Sequence, residues 1–169
     1  MKKLHAEKVG KLLTYIFMLT FISGVTAGSV FAMLSSSENA FSVTSASKLT
    51  VFTESFKSFL KPCFIIWISG FTGVSVYFSA ITLAYRGGIF GYLTACIIKN
   101  YGIGQALCVT LPQNILFFPF LLLISLCAAK QKKNGSPGYV LTLGLIVIVC
   151  ALSALLDTYV TSFLIRLIL

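Results

Sequence analysis

The chain has 169 residues, 57% of them hydrophobic and 10% charged, with a mean hydropathy of +0.97. So much apolar sequence excludes an ordinary water-soluble domain and puts several segments in lipid. The net charge of +9 raises nucleic acid as a partner, but the basic residues stand at the ends of apolar runs without an aromatic-interleaved patch, so positive-inside topology accounts for them and nucleic acid does not.

In chain order, a basic cytoplasmic amino terminus (residues 1–11, with Lys2, Lys3, Lys8 and Lys11) precedes the apolar run 12–33. As a helix those 22 residues reach about 33 Å, enough to span a bilayer. The run is long for a signal peptide and further spans follow, so Val30-Phe31-Ala32 is not read as a cleavage site. Residues 34–61 make an outer loop, Ser-rich at first. Within it Leu49, Phe52, Phe56, Phe59 and Leu60 recur at helical spacing opposite Thr53, Glu54, Lys57 and Ser58, the pattern of an amphipathic helix in the membrane interface. Pro62 suits a first helical turn, so a second span is expected over 62–85, with Arg86 marking the return to the inside.

The next piece, 87–98, has twelve residues and reaches only about 18 Å, short of a hydrocarbon core of about 30 Å. Lys99, Asn100 and Gly102 close it, and a second short piece (103–114) ends in Leu111-Pro112-Gln113-Asn114. A span over 115–129 follows, then a basic cytoplasmic loop (130–137), then a last apolar run with its tail (138–169) interrupted by Asp157 and Arg166. The fold expected is an all-α polytopic membrane protein of about five transmembrane helices, with a broken or re-entrant helical hairpin around Leu111–Asn114. Eight basic residues then lie inside (the four amino-terminal lysines, Arg86, Lys130, Lys132 and Lys133) against five outside, which orients the amino terminus to the cytoplasm.

The Pro-Gln-Asn triplet is the most informative stretch. In hydrocarbon a proline frees a carbonyl and two amide side chains need partners, so the segment must face protein or water. Either it is a structural turn with Asn114 as a cap, or it lines a polar cavity or a notch for a partner. Asp157 aligns with Ser153 and Thr161 on one helix face, and such a carboxylate faces the bundle or the outer interface rather than lipid. Lys99 is one partner for it, and no second titratable group is apparent in the spans. Gly24 and Gly28, and Gly87 and Gly91, have the GxxxG spacing that permits close helix approach. The five cysteines include no CxxC and read as packed thiols. With His5 the sole histidine and no Ser-His-Asp set, HExxH, P-loop or paired carboxylates, neither an enzyme, a metal nor a cofactor is expected.

The stretch from Lys61 to Ser125 resembles the stage II sporulation protein M family of endospore-forming bacteria. The likeness is carried by Arg86-Gly87 after a span, the glycine-bearing segment with Gly91, the Gly102 turn, the Leu111-Pro112-Gln113-Asn114 sequence and Pro119. The rest of the chain is similar in layout. The resemblance implies a non-catalytic scaffold in the cell membrane at the sporulation septum of the mother cell. Its implied partners are two membrane-anchored peptidoglycan hydrolases, sporulation proteins D and P, which thin the septal wall during engulfment. Those residues, and Asp157 as the carboxylate of the last apolar run, are the candidate structural or partner contacts. A small permease-like component working with a separate ATPase is the alternative reading.

Overall fold

The computed structural model describes residues 2–35, 47–131, 137–161 and 163. They form five helices: α1 (Lys2–Leu34), α2 (Lys48–Ser69), α3 (Ser75–Tyr101), α4 (Ile103–Lys130) and α5 (Pro137–Leu155), the last continuing into a π-helical turn, Leu156–Thr161. Three segments are long and apolar enough to cross a bilayer: Val9–Leu34, Ser75–Tyr101 and Gly138–Val160. The two parts of α4, bent by 53°, make a fourth if counted as one span. Among the described residues a fifth such span is not found, because α2 carries Lys48, Glu54, Lys57 and Lys61 along its length.

The helix breaks differ from those the sequence suggested. The interfacial helix expected before Pro62 and the first part of the expected 62–85 span are one helix, α2, which ends at Gly70 in a turn through Val74. From Ser75 the chain is helical without interruption through Arg86 and Gly87 to Tyr101, so the piece that looked too short to cross is the second half of a helix about 40 Å long. Arg86 therefore lies inside a helix and not at a membrane boundary. Around Leu111–Asn114 the chain bends without reversing: Pro112 withholds an N–H, while Asn114 Nδ2 donates to the Thr110 carbonyl at 2.7 Å and helps carry the helix through. Pro119 sits within the same helix. The expected Ser-rich loop over 36–46, Lys132 and Lys133 of the basic loop, and the tail with Arg166 lie outside the described residues.

The two GxxxG pairs meet. Gly24 faces Ala84 and Gly28 faces Gly88, while Gly87 faces Phe21 and Gly91 faces Val25, so residue numbers rise together and α1 and α3 pack in parallel. A Cβ at Gly24 or Gly28 would overlap a backbone carbonyl of α3, and only glycine lets Cα–H groups lie this close to carbonyls. Ser29 Oγ adds a bond to the Gly91 carbonyl at 3.2 Å.

The turn at Gly70–Val74 sends α3 back along α2, and Gly102, with φ +96, sends α4 back along α3. All the helices therefore share one axis, with two ends. At the end holding the start of α1, Lys130 approaches Gly10, Trp67 Nε1 donates to the Tyr139 carbonyl at 3.2 Å, and the Tyr139 hydroxyl donates to the Trp67 carbonyl at 2.7 Å. At the far end Lys99 Nζ reaches the Ser35 carbonyl at 3.5 Å, and Lys48 lies 5.6 Å from the Tyr159 ring centre. Between them is a core to which every helix contributes, including Phe17, Phe59, Leu83, Leu121 and Ile146, all buried.

A polar cavity at mid-depth

Halfway along the bundle the sequence sets a problem for itself. Pro62 lies inside α2, and its missing N–H leaves the carbonyl four residues back, that of Ser58, without its helical donor. In lipid an unmet carbonyl is costly. Arg86, from the middle of α3, supplies the donor through Nη2. Its guanidinium lies against a pair of touching rings, 5.4 Å from the centre of Phe59 and 5.1 Å from that of Phe117, and a cation over aromatic faces is further stabilised. Arg86 Nε is buried without a hydrogen-bond partner. Positive charge in this chain thus serves more than topology: one arginine closes a proline-broken helix from outside.

Beside Arg86 opens a cavity of about 470 Å³ whose polar lining is Glu54, Ser55, Ser58, Arg86, Thr110, Asn114 and Asp157, with Phe21, Phe59, Phe90, Phe117 and Phe118 among its apolar walls. Asp157 stands on the π-helical turn, a distortion that frequently marks functional sites, and its Oδ2 accepts the Ser55 hydroxyl at 2.5 Å. Lys99 is elsewhere, at the far end of α3. On the outer side of the same wall lies a second hollow of about 540 Å³ between α2 and α3, and Glu54, Ser58, Arg86 and Ile89 border both.

Of the residues singled out from sequence, the cavity brings together Arg86, Asn114 and Asp157. Gly87 and Gly91 instead pack against α1, and Gly102 makes the α3–α4 turn. Leu111 is exposed on α4, Pro112 lies at the bend, Pro119 is on the outward side of α4, and the Gln113 side chain is outside the described residues. The residues missed are Glu54, Ser55 and Ser58. Their signal was present: the polar face assigned to water in the supposed interfacial helix is in part the face that meets Asp157 and Arg86. Titratable groups do accompany Asp157 at this depth, contrary to the sequence expectation, because Glu54 and Arg86 line the same cavity.

Among the described residues no three or more His, Cys, Asp or Glu side chains are grouped to hold a metal. What the fold and cavity define is a multi-pass helical membrane protein whose distinctive chemistry is a fixed set of charged and polar side chains at bundle mid-depth. The chain belongs to the stage II sporulation protein M family, whose model matches residues 14–162. Comparison with curated proteins and with solved structures finds no match.

Proposed function

We propose that this protein is a non-catalytic scaffold of the engulfment machinery, holding the peptidoglycan hydrolases known as sporulation proteins D and P at the septum of the mother cell. The observation that carries the reading is the family match over residues 14–162. Orientation follows from charge. Lys2, Lys3, Lys8, Lys11 and Lys130 gather at the amino-terminal end of the bundle, which lies in the cytoplasm on the positive-inside bias, so the far end, with Lys48 and Lys99, faces the wall. Arg86 no longer counts in this sum, but the bias keeps its sign.

The protein is tagged in its host, followed through starvation and recovered in mild detergent. Accumulation at the asymmetric septum with both hydrolases is the expected result. Uniform presence in growing cells, with an ATPase in place of the hydrolases, would overturn it. The permease-like alternative draws on the cavity, to which Thr110 and Asn114 contribute. Asn114→Leu separates the two: a transport path loses its flux while partners are still recovered, whereas a scaffold keeps its function or loses it together with hydrolase recovery.

A further inference from the structure

The geometry points to the outward face of α2 between Glu54 and Lys61, with the groove it makes against α3, as the docking site for a transmembrane helix of a different protein that carries a carboxylate near its own midpoint. This deepens the scaffold reading and rests on it.

The first argument is depth. Ser58 and Phe59 are midway along α2, Arg86 is near the middle of α3, and the Phe59 ring packs, tilted, with its centre 4.6 Å from that of Phe117 near the middle of α4. Cys63 meets Cys150, near the middle of the span Gly138–Val160, at 3.9 Å. Lys57 and Lys61 are therefore within about one helical turn, 5.4 Å, of the level at which the apolar spans are deepest in lipid. Both are exposed on the outside of the bundle, where charged side chains are expensive and rare.

The second argument is charge. Lys57, Lys61 and Arg86 border the groove against a single carboxylate, Glu54. Glu54 is 3.1 Å from Lys57, and Lys61 has no ion-pair partner among the described residues. The groove lacks negative charge. Its remaining walls, with Ile65, Phe78 and Ile81, suit the aliphatic side chains that flank a polar residue in a spanning helix.

A second copy does not fit. Copies in one membrane share an orientation, so a twofold axis runs along the membrane normal and sets residues of equal depth together: Lys57 against Lys57, Lys61 against Lys61, Glu54 against Glu54. Like charges opposed in lipid repel. Lipid phosphates do not fit either, since they lie beyond a hydrocarbon half-thickness of about 15 Å.

The test uses the full chain in phosphatidylcholine nanodiscs at pH 8 and a designed 23-residue Leu/Ala transmembrane peptide bearing a dansyl group and one central Glu. Energy transfer from Trp67, the only tryptophan, reads binding. The Glu peptide is expected to bind at least tenfold more tightly than its Gln counterpart, and the difference to vanish in the Lys57→Gln/Lys61→Gln variant. Formation of a Cys63–Cys150 disulfide under mild oxidation, as expected in the wild type from sulfurs 3.9 Å apart, shows that this variant is folded. Equal binding of the Glu and Gln peptides overturns the proposal. So does retention of phosphatidylglycerol by the wild type over the variant without any peptide preference, which would make anionic lipid the occupant. Hydrolase recovery is scored separately. Equal recovery with wild type and variant sinks the groove and leaves the scaffold standing; peptide preference without any hydrolase recovery keeps the groove and sinks the scaffold.

Discussion

Pro62→Ala returns an amide N–H to the Ser58 carbonyl and so removes the reason for Arg86 to reach across from α3. In the wild type, Arg86→Gln loses a charge-assisted bond to that carbonyl, of the kind contributing about 1.5–3 kcal/mol. It also loses the contacts with Phe59 and Phe117, about 0.5–2 kcal/mol each. Relief of a partly buried charge offsets part of this, and we expect a net cost of about 2–3 kcal/mol. In the Pro62→Ala background the carbonyl already has a donor, so Arg86→Gln should cost only about 1 kcal/mol, a coupling of about 1–2 kcal/mol between two residues on different helices. Denaturation in mixed detergent micelles, followed by Trp67 fluorescence, gives all four corners of the cycle. If the two substitutions add within about 0.5 kcal/mol, the proline-freed carbonyl is not what holds Arg86 in the bundle.

Two adjacent glycines are expected to behave oppositely. A Cβ on Gly87 would stand 2.5 Å from the Phe21 carbonyl oxygen, where ordinary contact begins at 3.4 Å; backbone cannot yield there, so Gly87→Ala should cost about 1–3 kcal/mol. On Gly88 the nearest atom is 3.7 Å away, so Gly88→Ala should leave the same unfolding midpoint unchanged, and equal effects would refute parallel α1–α3 packing. Separately, mild oxidation with copper-phenanthroline should join Cys63 to Cys150, whose sulfurs are 3.9 Å apart, giving a mobility shift abolished by Cys63→Ser; persistence of the shift in that variant would contradict the α2–α5 contact.

Apolar character was legible from the sequence one segment at a time, and so the membrane-spanning class, the run beginning near Leu12 and the polar character of the Asn114 region were readable. Helix ends were less so. A basic residue after an apolar run ordinarily marks a boundary, and Arg86-Gly87 looks like one. What cancels that signal is a carbonyl 28 residues earlier, freed by a proline, and two phenylalanines on other helices. Pro62 in turn reads as a helix start because prolines favour first turns, yet its lost bond is made good from α3, and the helix passes through. The GxxxG spacings, by contrast, are local and could be read directly, though not that they face each other in parallel.

The same distinction explains why the part of α2 before Pro62 reads from sequence as an interfacial helix. Hydropathy asks whether a helix can enter lipid alone, and α2, with its charges, does not meet that condition. Its place in the bundle is set by neighbours instead. Phe59, Cys63 and Ile66 are buried against α3, α4 and α5, which commits the opposite face, with Glu54, Lys57 and Lys61, to the same depth. Burial of one face thus forces exposure of the other where charge is least tolerated, and this conflict within a single helix makes α2, more than the Leu111–Asn114 bend, the element on which the docking proposal is to be tested first.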